Sequence, residues 1–152
     1  MIECQELMTR PVYTLPDTAT LADARELMAI RQIRHVPIVD HKDRLVGMFT
    51  QRDLFATMDS AMYEMSDEEL ATREAEININ MVMSTKVASA SPTTSLQQAA
   101  EFLRSKKYGC LPIVSQGKVL GIITDSDFVS IAINLLEQIE QSNAIEAEVT
   151  SG

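Results

Sequence analysis

The sequence predicts a mixed α/β (α+β) fold in which one small unit is used twice. Three observations carry this. The first is repetition. Arg34-His35-Val36-Pro37-Ile38-Val39, followed by Leu45-Val46-Gly47-Met48-Phe49-Thr50-Gln51-Arg52-Asp53, returns as Gly109-Cys110-Leu111-Pro112-Ile113-Val114, followed by Val119-Leu120-Gly121-Ile122-Ile123-Thr124-Asp125-Ser126-Asp127. The prolines lie 75 positions apart, while the glycines, threonines and aspartates lie 74 apart. The second is patterning, since each copy alternates short apolar runs with segments of helical period. The third is size: 152 residues suffice for one compact domain or two half-domains sharing a core, and a copy of about 50 residues is marginal alone.

Each copy reads as strand, helix, strand, strand, helix. Residues 12–15 form a short extended segment ended by Pro16-Asp17. Thr20 opens a helix that sets Leu21, Ala24, Met28 and Ile30 or Arg31 roughly on one face. In the second copy Ser95 and Gln98 predict a capping box. The strands containing Pro37 and Pro112 read as edges or strand starts, because proline has no N–H to donate. Between them and the next runs the first copy has five residues, Asp40 to Arg44, and the second four, Ser115 to Lys118. A one-residue deletion is what a hairpin turn tolerates. Residues 45–49 and 119–123 look buried on both faces, and helices start at Thr50 and Thr124. Upstream the copies also match: Met8 with Met83, Val12 with Val87, Thr14 with Ser89, Leu21 with Leu96, Ala24 with Ala99 and Met28 with Leu103. The expected organisation is a first unit over 5–58, an acidic helical linker over 59–80, a second unit over 81–137 and a mobile tail over 143–152. Ser66 and Glu69 predict a capping box that starts a helix through about Ile77, read as a solvated linker, with a partner-binding surface as the alternative.

Net charge of −9 and a pI of about 4.6 argue against nucleic acid and anionic membrane as partners. No apolar run reaches the roughly 18 residues of a membrane span, and the N-terminus lacks the basic and apolar stretches of a signal peptide. Two cysteines, Cys4 and Cys110, make no disulfide framework. The expected location is cytoplasmic. Nine methionines and no tryptophan predict a soft, gap-filling core. His35 and His41 have no zinc-like spacing with the cysteines, and Asp125 and Asp127 alternate sides of a helix start, so no metal site is expected. Cys110 reads as a small buried residue rather than a reactive thiol. No Ser-His-Asp set, Walker loop or Gly-x-Gly-x-x-Gly appears, and no nucleophile stands beside a base, so an enzyme is not expected.

Thr50 with Asp53, and Thr124 with Asp127, are explained without a ligand as helix caps. Their surroundings offer more. A strand-to-helix junction presents backbone N–H groups to an anion, an Asp one turn in suits a ribose diol, and the strands bearing Pro37 and Pro112 supply an apolar wall for a base.

With His35-Val36-Pro37-Ile38-Val39 and Gly47-x-x-Thr50-x-x-Asp53 in one copy, and Leu111-Pro112-Ile113-Val114 and Gly121-x-x-Thr124-x-x-Asp127 in the other, the chain resembles a pair of cystathionine β-synthase (CBS) domains, a Bateman module. Leu7-Met8-Thr9 and Val82-Met83-Ser84 fit the openings. The resemblance implies two pseudo-twofold-related β-α-β-β-α units packed sheet to sheet, with two clefts at the seam that take AMP, ADP, ATP or S-adenosylmethionine as a regulatory ligand, no cofactor being required. It implies that Asp53 and Asp127 hold the ribose, that Thr50 and Thr124 contact phosphate or ribose, and that Val12, Thr14, Val87 and Ser89 line the base pocket. His35 and Cys110 occupy the position two before the proline, often basic where phosphate binds. Arg34, His35 and Arg52 make the Asp53 site the expected home of a charged nucleotide. The Asp127 site, with Gly109, Cys110 and Ser126 and with Lys106 and Lys107 only at the margin of reach, is expected to be weaker, empty or suited to a less anionic adenosyl compound. The resulting expectation is a stand-alone regulatory module, homodimeric, signalling to an effector protein. The alternative is a ligand-free interaction or scaffold module, and a small cofactor-using enzyme is the weakest option.

Overall fold

The computed structural model describes the backbone of residues 1–151 and the side-chain surroundings of residues 1–145. The first copy contains β1 (Leu15–Pro16), α2 (Leu21–Arg31), β2 (His35–Val39), β3 (Leu45–Thr50) and α3 (Gln51–Ala56), preceded by α1 (Cys4–Leu7). The second contains α6 (Leu96–Lys106), β4 (Cys110–Ser115), β5 (Lys118–Thr124) and α7 (Asp125–Ser151). Between them lie α4 (Ser60–Tyr63), α5 (Asp67–Glu74) and a 3₁₀ turn at Ile79–Met81. β1 runs parallel to β2, which pairs antiparallel with β3; β4 and β5 form the matching hairpin. The opening strand expected over 12–15 is thus confined to Leu15–Pro16, and in the second copy it shrinks to one bridge from Ala90 to Ile113.

The helix starts follow the sequence. The Thr20 hydroxyl accepts from the Asp23 amide while the Asp23 carboxylate takes the Thr20 amide, a complete capping box. Ser95 and Ser66 each cap with the hydroxyl, but Gln98 and Glu69 return no bond to the cap amide, so only half of each expected box forms. α2 buries Leu21, Ala24 and Met28 as expected, whereas Ile30 is exposed. The second hairpin turns through Gln116 and Gly117, at φ 52° and 80°, the two left-handed residues of a tight turn. The longer first turn is held by the Asp40 side chain, which accepts from the amides of Lys42 and Arg44.

Two cores result, one per copy. The first holds Leu21, Ala24, Val36, Ile38 and Phe49, and the second Leu96, Ala99, Leu111, Ile113 and Ile123. The opening segments are exchanged between them. Thr9 bridges Ile122 of the second copy, and Ser84 bridges Met48 of the first. A Cβ placed on Gly121 would run into the Met8 side chain, and one on Gly47 into Met83. Each copy's leading methionine therefore fills a notch in the other's hairpin, and the repeated glycines exist to admit it.

The linker departs from its solvated reading. Its helix stops at Glu74 rather than near Ile77, and Met62, Glu74 and Ile79 are buried. Glu74 is fully enclosed and its Oε1 accepts from Arg25 Nε at 2.6 Å, while Oε2 has no hydrogen-bond partner. The segment from residue 143, expected as a tail, continues α7, which meets no proline or glycine before Gly152. Gly152 lies outside the described residues.

Candidate functional site

A cleft with a cavity volume of about 840 Å³ opens at the seam, within the roughly 300–1,000 Å³ of small-molecule sites. From the first copy it receives Thr50 and Asp53, with Arg34, His35 and Arg52 beside them. From the second it receives Val87, Cys110 and Pro112. Cys110 was expected to belong with Asp127; β4 does pair it with Thr124, the cap residue of that element, and it also lines the cleft that holds Asp53.

Asp53 is positioned by α3. Its Oδ2 accepts the Thr50 amide at 2.9 Å and its own amide donates to Thr50 Oγ1 at 3.1 Å. Among the described residues, nothing in the protein bonds Oδ1. A half-buried carboxylate is thus fixed in orientation with one oxygen free to accept. Val87, Ala88, Cys110 and Pro112 supply the apolar side of the cleft, and Phe55 and Tyr108 stand half-exposed on it.

His35 lies deeper. Gly109 sits at φ 72°, which favours glycine, and a Cβ there would stand 3.3 Å from His35 Nε2 and 3.6 Å from Asp125 Oδ2. Burial pushes the His35 imidazole below its ordinary range; Asp125 and Asp53 pull it back up and Arg34 adds to the depression. Burial thus favours the neutral imidazole. Burial, followed by the Asp125 charge, pushes the Cys110 thiol up to about 12, so it acts as a small apolar wall residue beside Met48 Sδ at 4.0 Å.

Val12, Thr14, Pro37, Ser89, Thr124 and Asp127 do not line this cleft. Ala88 stands in the wall that Ser89 was expected to share. Asp127 is committed internally: Oδ2 accepts the Thr124 amide at 2.8 Å and Oδ1 accepts the Thr9 hydroxyl at 3.2 Å. Tyr13, the counterpart of Ala88, is engaged by the Arg31 guanidinium 4.6 Å from its ring centre. Reading the sequence missed Lys86 and Arg104 and gave Lys107 to the Asp127 site; all three line the open cleft. Lys86 follows the repeated Met83-Ser84 pair and was findable from it; the other two required knowing that α6 faces the other copy's Thr-x-x-Asp element.

A tandem pair of β-α-β-β-α units with a cleft between its copies is the class that fold and site define. The CBS domain family profile matches residues 4–60 and 77–134, and the chain belongs to that family. It is similar to the crystal structure of a candidate acetoin utilization protein (AcuB) from Vibrio cholerae, at 44% identity and a TM-score of 0.76, over 93% of this chain and 97% of that one. The CBS domain pair of protein MJ0100 in complex with 5-methylthioadenosine and S-adenosyl-L-methionine shares the fold at 20% identity and a TM-score of 0.72, covering 88% of this chain and 98% of that one. So does CBSX2 in complex with AMP, at 23% identity and a TM-score of 0.71, covering 89% and 98%. No described helix is long and apolar enough to cross a membrane.

Proposed function

We propose that this protein is a stand-alone CBS-pair regulatory module that binds an adenosine-containing ligand at Asp53 and signals to a partner protein. One observation carries the reading: a capped, half-buried carboxylate with a free oxygen faces, across an open cleft, an apolar wall contributed by the other copy. Thr50 and Asp53 would hold the ribose, Val87, Ala88 and Pro112 the base, and the cations the phosphate. A ligand that touches both copies favours one arrangement of the seam, and its effect on a partner is bounded by its differential affinity for the two arrangements. The complex of CBSX2 with AMP and that of MJ0100 with its adenosyl ligands support the ligand class. The likeness to AcuB makes acetoin-utilizing enzymes the first partners to test.

Thermal shift against adenosine, AMP, ADP, ATP and S-adenosylmethionine tests the reading. A ligand at 100 times its Kd stabilises by about 2.7 kcal/mol, and a 2′-deoxy analogue should stabilise less. No shift with any of the five removes it. The ligand-free scaffold reading rests on the capping at Thr50 and Asp53 being complete by itself, and it survives that outcome.

A homodimer is part of the proposal. α7 leaves Val129, Ile133, Leu135, Leu136 and Ile139 more than half exposed, and a second copy would cover them. Sedimentation of a Leu136→Glu variant as a lighter species than the parent is the expected result.

A further inference from the structure

We propose that the Asp53 cleft is built for a nucleoside di- or triphosphate in preference to a monophosphate or a sulfonium compound; this rests on the adenosine-ligand reading above. Arg34 and Arg52 line the cleft from the first copy, and Lys86, Arg104 and Lys107 from the second. Asp53 and Asp125 are its carboxylates, so the lining carries three net positive charges in a chain of net charge −9. Among the described residues, salt bridges join Arg25 to Glu74 and Arg44 to Asp40, and none of the five cleft cations is paired.

Local structure accounts for only part of this cluster. Arg104 lies in the last turn of α6 and Lys107 caps it, where a cation complements the carbonyl end of the helix. Arg52 is the second residue of α3, at the end where a cation is unfavourable, and Lys86 lies outside any helix. The protein supplies its own control. The positions equivalent to Arg34, Arg52, Lys86, Arg104 and Lys107 are Gly109, Ser126, Pro11, Ala29 and Gln32. Not one cation is repeated, so the cluster is not a by-product of the duplicated fold. Like charges from the two copies repel across the seam, and a polyanion that reaches both sides relieves that repulsion. A monophosphate can meet few of the five, and a sulfonium adds a positive charge of its own.

Isothermal titration in the presence of EDTA, with adenosine, AMP, ADP, ATP, S-adenosylmethionine and inorganic tripolyphosphate, tests this. The expected Kd for ATP lies at least about tenfold below that for AMP, as one further charge-assisted contact provides, and it weakens more steeply with added salt. The variant Arg104→Ala with Lys107→Gln installs the first copy's residues, and Gln32 already tolerates the φ of 54° that Lys107 holds at 57°. It should bring ATP to the affinity of AMP and leave adenosine unchanged. ATP binding no tighter than AMP, or S-adenosylmethionine binding tighter than ATP, overturns the proposal while leaving an adenosine site standing. Tight tripolyphosphate with no measurable adenosine keeps the polyanion site and removes the nucleoside.

Discussion

At Asp53 one carboxylate oxygen takes the Thr50 amide and the other is left open to a cleft; at Asp127 the same amide bond forms, and Thr9 occupies the second oxygen. Ser84, the counterpart of Thr9, lines the open cleft. Duplication of the motif has therefore not duplicated its hydrogen bonding. The backbone frame is common to both copies, while the side chains that arrive from the opposite copy decide whether the carboxylate is available. The copies differ also in what they dock. Arg25 holds the linker through Glu74, whereas its counterpart is Ala100.

The largest expected break in this comparison is at that ion pair. Arg25→Ala leaves Glu74 enclosed and unpaired and should cost about 3 kcal/mol in denaturant unfolding, while Arg25→Met with Glu74→Leu should recover most of it. A loss below about 1 kcal/mol from the single change would mean that the linker carries little stability. Next comes ligand affinity. Asp53→Ala should weaken the best adenosine ligand tenfold or more, as loss of a charge-assisted hydrogen bond does, and Asp127→Ala by less than about threefold. Equal losses would erase the distinction between the clefts.

The glycine notches sharpen the comparison further. A Cβ at Gly121 meets Met8 Cγ at 2.6 Å and Met8 Cβ at 3.0 Å, atoms near the backbone. At Gly47 the nearest atoms of Met83 are Sδ and its neighbours Cε and Cγ, farther out along the chain and freer to swing. Gly121→Ala should cost about 1–3 kcal/mol and Gly47→Ala less, measured by thermal unfolding. The smallest effect concerns pH. His35 is held below its ordinary range by burial, so the unfolded chain binds a proton more readily than the folded one. Stability from this residue is full above the unfolded value of about 6.5 and is lost as pH falls below it. His35→Gln should flatten that slope, and an unchanged slope would assign it to other groups.

The fold was legible because its signals are local and doubled: the Pro37 and Pro112 strands, the glycines, and the caps at Thr20, Thr50, Ser66 and Ser95 all lie within a few residues of what they organise. Half of the cleft was legible for the same reason, since Arg34, His35, Thr50, Arg52 and Asp53 sit on adjoining elements of one copy. What escaped depends on contacts across the seam. The sequence places Cys110 with Asp127, only 17 positions on, and β4 pairs it with Thr124, but only tertiary packing shows that it also lines the Asp53 cleft. Thr9 was matched only as part of the opening segment, and it reaches Asp127 across 118 positions. Glu74 lies in an acidic run that looks solvated, and only the docking of α5 on α2 reveals its burial.

The crossed methionines have a consequence for how the molecule comes into being. Neither hairpin is finished until a segment more than thirty positions distant has arrived, Met8 for Gly121 and Met83 for Gly47. A polypeptide cut within the linker would yield two fragments, each carrying the stopper for the other's hole. Such fragments should associate and rebuild the native body when mixed, and at high concentration intact chains share the same route to trading ends.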